Sequence, residues 1–121
     1  MSSAAPLRMV ELDVIRQLHA DVGGDAAITG DVLRSYEQRA PELVTVLDRA
    51  AAAGESEGVR QAAHDLRSIS GFVGAVSIQA LAAELETQHP MSAERMTELV
   101  TRLGEQLPAV LAELGRFAEE L

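Results

Sequence analysis

Apolar side chains recur every three or four residues through most of this chain, and no useful length of it alternates apolar and polar residues with period two. This spacing is typical of amphipathic α-helices that bury one face. We therefore predict an all-α fold, an up-and-down four-helix bundle with an additional short N-terminal helix. The predicted helices cover residues 13–22, about 29–53, 57–73 and 77–87, and a long last helix that Ser92 caps and that extends to Phe117 or beyond.

Residues that start, stop or bend helices separate these segments. Asp13 is expected to cap the first helix, which stops at Gly23-Gly24. Pro41 and Pro108 lie inside the second and last helices, where the lost backbone hydrogen bond predicts a bend. Residues 88–91 are predicted to form a loop, because the residue before a proline avoids helical geometry.

The third predicted helix has two contrasting faces. At about 100° per residue, its apolar positions fall within roughly 40° of the pole opposite His64. These positions are Val59, Ala62, Leu66, Ile69 and Val73. Helical spacing places a second set beside His64 on the outward face: Arg60, Gln61, Arg67, Ser68 and Gly71. A glycine within a helix costs about 1 kcal/mol relative to alanine, so we expect Gly71 to provide clearance around the imidazole.

Length and composition favour one helical domain. The 121 residues can bury a single core, and we expect it to span residues 9–121 after a flexible lead-in at residues 1–8. Hydrophobic residues make up 47% of the chain but aromatic residues only 2%, so aliphatic side chains must fill the interior. That composition favours helices packed on helices.

Charge and cysteine content exclude several classes of function. The net charge of −9 and the absence of lysine argue against nucleic-acid binding, which needs clustered basic residues. Without cysteine the chain has no disulfide or thiolate site, and we expect a cytoplasmic protein. We expect no secretory signal and no membrane-spanning segment, because no long apolar run is present.

His64 is the residue with the clearest potential for chemistry. A neutral imidazole nitrogen held in solvent can accept a phosphoryl group and pass it on. Arg67, one turn later, could offset the charge of phosphoryl oxygens. Ser68 and Gly71 would leave room for the active site of a second protein. On spacing alone, however, an ordinary solvated histidine is the more common case.

The run from Ala63 to Ala75, AHDLRSISGFVGA, resembles the signature of histidine-containing phosphotransfer (HPt) domains. In that family the pattern is Ala-His-x-Leu-Lys-Gly followed by small residues and then Gly-Ala. The similarity extends to Gly23-Gly24-Asp25, to Arg39-Ala40-Pro41-Glu42-Leu43 and to residues 81–86, so it covers roughly residues 12–88.

The resemblance implies a role for each matching residue. His64 would be the phosphoacceptor, and Arg67 would take the place of the usual phosphoryl-stabilising lysine. Arg60, Gln61, Ser68 and Gly71 would belong to the surface on which a receiver domain docks, with Ser68 replacing the usual glycine. Glu86 falls where many members have a glutamine that bonds near the histidine; a carboxylate close to a phosphoryl group would repel it.

The resemblance also implies how the protein works. Family members have no ATP site and are phosphocarriers rather than self-sufficient enzymes. The expected partners are receiver domains of response regulators and a hybrid histidine kinase. The receiver would supply Mg²⁺, and the chain would need no cofactor of its own. We expect a monomer, because one chain can provide all four bundle helices.

Two other functions stay open at this stage, and a metal site is a weak third. The run His64 to Ser68 is also similar to the histidine box in the dimerisation domain of sensor kinases, although Ile69 stands where those boxes usually have proline. A helical adaptor with an incidental histidine is the other alternative. A metal site is not expected, because His19, His64 and His89 lack ligand spacing; His19 is predicted to be solvated, and His89 to lie in a loop.

Overall fold

A computed structural model describes residues 8–121. In this part of the chain all regular structure is helical. The helices are α1 (Leu12–Asp21), α2 (Ala26–Ala52), α3 (Ser56–Val73), α4 (Val76–Thr87) and α5 (Ala93–Glu119). The predicted all-α fold is therefore confirmed, and the predicted helices are all present. Of the predicted lead-in, only Arg8 lies within the described residues; it forms an exposed ion pair with Glu11.

The helices α2, α3, α4 and α5 form a closed ring. α2 packs against α3 and α5, and α4 also packs against α3 and α5, so consecutive helices are neighbours. The shared core is aliphatic, as the composition predicts, and its largest fully buried members include Ile15, Leu47, Leu66, Ile78, Leu85, Leu99 and Leu103. None of the described helices is both long and apolar enough to traverse a lipid bilayer.

The helix starts differ from the predictions in two places. α1 begins at Leu12 after Glu11, so Asp13 lies in the first turn instead of capping it. α2 begins at Ala26, three residues before the predicted start, because the Asp25 carboxylate accepts hydrogen bonds from the amides of Ala27 and Ile28. The predicted cap at Ser92 is confirmed by its hydrogen bond from the Arg95 amide.

Both internal prolines lie within continuous helices. α2 extends past Pro41 and α5 past Pro108, so neither residue ends its helix. The bend expected at each proline stays a prediction.

A hydrogen bond inside the bundle joins α2 to the helix that carries His64. The Tyr36 hydroxyl lies 2.8 Å from the Ser70 hydroxyl, and both side chains are buried. Burial raises the pKa of Tyr36 to about 12, although the hydrogen bond with Ser70 opposes this shift. The pair fixes how α3 is rotated against α2, because Ser70 can reach Tyr36 only when that side of α3 faces the core.

α1 is attached where α3 turns into α4. The Glu11 amide donates to the Gly74 carbonyl at 2.8 Å, and the Ser77 amide donates to the Met9 carbonyl at 3.2 Å. Gly74 ends α3 in the left-handed conformation with φ of 78°, as the predicted Gly-Ala turn requires. A Cβ on Gly74 would lie 2.5 Å from the Glu11 carbonyl oxygen, closer than such atoms approach each other.

This crowding predicts a large cost for Gly74→Ala. Gly54 also has a positive φ, 69°, but a Cβ there would meet nothing within 4 Å. Gly54→Ala therefore measures the cost of the left-handed conformation alone, about 1–2 kcal/mol. We expect Gly74→Ala to lower the free energy of unfolding by at least about 1 kcal/mol more, because the Glu11 backbone must also move. Urea titrations compare the two variants, and equal costs would show that the α1 attachment adds nothing.

Candidate functional site

The structure places His64 on the outward face of α3. Its side chain is 62% exposed, whereas the opposite side of the helix is buried. The buried set on that side is Val59, Ala62, Ala63, Leu66, Ser70 and Val73. The predicted orientation of His64 is therefore confirmed. Ile69, predicted to belong to the inner stripe, is half-buried and packs against the edge of the core.

Glu86, from α4, connects His64 to Arg67. Its Oε2 lies 2.6 Å from Nδ1 of His64, and its Oε1 lies 2.9 Å from Nη1 of Arg67. We call these three residues the His64–Glu86–Arg67 cluster. Each carboxylate oxygen thus has its own partner. His64 and Arg67 lie one turn apart on α3, so the packing of α4 on α3 is what assembles the cluster.

The charges of the cluster favour an ionised carboxylate. The hydrogen bond from Arg67, and next the one with His64, hold the pKa of Glu86 below its ordinary value of 4.5. An ionised carboxylate only accepts hydrogen bonds, so Nδ1 of His64 must be the donor. In the neutral form of the ring the lone pair is on Nε2, for which no described residue provides a hydrogen-bond partner. The cluster therefore presents Nε2 as a free nucleophile.

Three of the residues predicted to lie beside His64 are on the outward face of α3, as expected. Arg60, Gln61 and Ser68 are exposed. A shallow cleft of ≈ 270 Å³ beside His64 has charged and polar walls, formed by Glu57, Arg60, Gln61, Asp65 and Glu86. Arg60 forms an ion pair with Glu57 at its rim.

Gly71 has a different purpose from the one expected. A Cβ on this residue would lie 2.7 Å from Nε2 of Gln79, a side chain of α4. The space beside Gly71 is thus filled by α4, and the expectation that it clears room around the imidazole is wrong. The reason is distance: two helical turns separate Gly71 from His64.

The exposed aromatic residue Phe72 lies on the same helix as His64 but is not among the predicted site residues. Phe72 is 59% exposed. Together with Val32, Tyr36 and Ile69, it lines a groove of ≈ 300 Å³ between α2 and α3. Helical spacing places Phe72 about 80° around α3 from His64. A large apolar residue at such an outward position is the sequence signal that could have predicted this groove.

The remaining histidines are separate from this site. His19 is half-buried, and its Nδ1 lies 2.6 Å from the hydroxyl of the buried Thr29, so the prediction of a solvated His19 is wrong. His89 lies in the predicted loop, 3.0 Å from the Leu85 carbonyl oxygen. Over residues 8–121, no three histidine, aspartate or glutamate side chains are grouped so that they could hold a metal ion.

Comparison with known protein families gives a match over most of the chain. The family model described as "Hpt domain" matches residues 31–117, which include all of α3 and α4 and most of α2 and α5. The searches of curated proteins and of solved structures give no significant match.

Proposed function

Because this chain belongs to the Hpt domain family, we propose that it is a phosphocarrier in which His64 receives and donates a phosphoryl group. Hpt domains act in phosphorelays and interact with the receiver domains of response regulators. The observation that carries the assignment to this residue is the exposed His64, with Nδ1 bonded to Glu86 and Nε2 free.

The proposed reaction needs only a positioned nucleophile from this chain. The Nε2 lone pair of His64 attacks the phosphorus of an aspartyl phosphate on a receiver domain. The bond between phosphorus and the aspartate oxygen breaks, and the carboxylate leaves. Donation to a second receiver is the reverse reaction. The receiver would bring Mg²⁺ and the groups that stabilise the transferring phosphoryl group. His64 would then contribute to the transfer rate through the position of its Nε2.

A receiver domain would dock on the outward face of α3. Gln61 and Ser68 are exposed next to His64 in the helical array. The groove at Phe72 extends this surface along α3 with apolar area that a partner could cover. Ser68 adds a hydroxymethyl group close to the imidazole, which would influence the choice among receivers.

Arg67→Ala should slow phosphoryl transfer without unfolding the protein. The Arg67 side chain is 44% exposed, and an exposed ion pair contributes at most about 1 kcal/mol to stability. Its loss would, however, leave the Glu86 charge uncompensated beside the incoming phosphoryl group. We expect a fall of about tenfold in the transfer rate, equivalent to about 1.4 kcal/mol.

The control is Arg116→Ala on α5, which removes an exposed arginine that lies outside the cluster. Quenched time courses of phosphoryl transfer and thermal melts on both variants separate an effect on the transfer rate from an effect on the stability of the fold. An Arg67→Ala protein with an unchanged rate would remove Arg67 from the mechanism.

The function itself is tested by phosphotransfer profiling. The protein is mixed with each labelled receiver domain of its source organism, and label that appears on it is followed with time. We expect rapid transfer from at least one receiver. No transfer from any of them would favour a helical adaptor. A stable dimer in solution built on residues 57–87 would favour a kinase dimerisation element.

A further inference from the structure

A second groove lies between α4 and α5, apart from His64 and from the groove at Phe72. Its volume is ≈ 600 Å³, within the range of about 300–1,000 Å³ that small-molecule sites occupy. α4 lines one side with residues one turn apart, including Ser77 and Leu81, and α5 lines the other side with Arg102 and Gln106. Side chains at these spacings share one face of each helix, so the two faces border a single space.

The groove contains two buried polar atoms that lack a partner. The hydroxyl oxygen of Ser77 and Oε1 of Gln106 are shielded from solvent, and neither has a hydrogen-bond partner within residues 8–121. Buried polar atoms are nearly always paired, and an unpaired one costs free energy that a bound group can recover. The Gln106 amide can also turn to direct its NH₂ group inward. Both side chains can therefore donate to a ligand.

The charged groups around the groove favour an anionic ligand. Arg102 is exposed, and none of the ion pairs among the described residues includes it. Glu84 lines the groove but lies 2.8 Å from Arg95, which offsets its charge. Arg8, at the opposite end, is paired with Glu11. Arg102 thus leaves a positive charge at the groove, in a chain whose net charge is −9.

Apolar side chains form the remaining wall. Leu81 is buried and Val76 half-buried on α4. The half-buried Met9 closes one end, where its carbonyl accepts a hydrogen bond from the Ser77 amide. A ligand that covers these side chains gains the free energy of apolar burial. The site therefore combines an apolar wall with one cation and two hydrogen-bond donors.

We propose that this groove binds a small amphipathic carboxylate. The carboxylate group lies at the Arg102 guanidinium and accepts hydrogen bonds from Ser77 and Gln106, since an ionised carboxylate only accepts. The aliphatic chain of the ligand lies along Met9 and Leu81. This inference goes beyond the proposed function and does not rest on it.

The groove is on the side of α4 that faces away from the His64–Glu86–Arg67 cluster. Glu84 lines the groove and Glu86 bonds to His64, and helical spacing separates these two positions by about 200° around α4. A bound carboxylate would therefore leave the outward face of α3 uncovered. Its binding can be measured on the protein alone, with no receiver present.

Octanoate titrated into the ¹⁵N-labelled protein tests the proposal. We expect saturable shifts of the backbone amide signals around Ser77 and Arg102, half-saturated at about 1 mM or below, which a ligand of about ten non-hydrogen atoms can reach. Octylammonium has the same chain length and the opposite charge. It should bind at least about tenfold more weakly, although the protein as a whole is acidic.

Three variants locate the binding site. Arg102→Gln removes the exposed charge and should weaken octanoate binding at least about fivefold. Arg116→Gln removes another exposed arginine of α5, which does not line the groove, and should bind like the wild type. Ala80 is exposed and lines the groove, so Ala80→Phe should fill the space and abolish binding while the protein stays folded.

The outcomes are distinct for each part of the proposal. Shifts that do not saturate by about 10 mM octanoate would overturn it, as expected if water alone pairs Ser77 and Gln106. Equal binding of octylammonium, or wild-type affinity in Arg102→Gln, would also overturn it. Saturable binding that Arg102→Gln weakens and Ala80→Phe abolishes would establish the site, whether or not any receiver transfers a phosphoryl group to His64.

Discussion

His64→Gln is expected to abolish phosphoryl transfer to and from this protein while leaving it folded. The side chain is 62% exposed and contributes nothing to the core, so its replacement by another polar residue should change stability by no more than about 0.5 kcal/mol. Glutamine has no nitrogen lone pair that could attack phosphorus. Label transfer from a phosphorylated receiver should therefore fall to the level measured without the protein.

His89→Gln is the control for this substitution. His89 lies in an exposed loop and is outside the His64–Glu86–Arg67 cluster. This variant should accept label at the wild-type rate. Transfer that survives His64→Gln would place the acceptor elsewhere and remove the site assignment.

Leu66→Ala is expected to be the most destabilising single truncation within α3. Leu66 is fully buried among the aliphatic residues of the core. Removing its isobutyl group loses the free energy of burial and leaves a cavity, which together cost about 2–5 kcal/mol. The midpoint of urea unfolding should fall accordingly, with little change in its slope.

The neighbouring Arg67→Ala is the comparison that makes this result informative. The two residues are adjacent in sequence, but α3 directs one into the core and the other to solvent. Arg67→Ala should cost at most about 1 kcal/mol. If both variants unfolded at the same urea concentration, α3 would have to be rotated from its position in the structure.

The two faces of α3 could be predicted from sequence because they depend only on helical geometry. Once residues 56–73 form a helix, the direction of Leu66 and that of His64 differ by a fixed angle, whatever else the chain does. The same argument holds for the buried positions of α5, such as Leu99 and Leu103. Periodicity therefore predicted the fold and the exposure of the candidate acceptor.

The start of α1 and the burial of His19 depend on contacts that periodicity does not contain. α1 starts where Met9 and Glu11 bond to the turn between α3 and α4, more than sixty residues away in sequence. His19 is half-buried because α2 brings Thr29 beside it. Both facts follow from packing between helices.

The cluster was only partly predictable for the same reason. The family resemblance places Glu86 near His64, and charge alone predicts repulsion of a phosphoryl group. The structure adds that Glu86 bonds to Arg67 and His64 at once. Gly71 is a parallel case, since the Gln79 side chain that fills its space comes from α4.

Locating the phosphoryl group within the protein tests the central claim most directly. The chain is phosphorylated by a receiver that transfers to it, digested under alkaline conditions that preserve phosphohistidine, and analysed by tandem mass spectrometry. We predict a single modified residue, His64, with no label on His19 or His89. Label on any other residue, with His64 unmodified, would contradict the account.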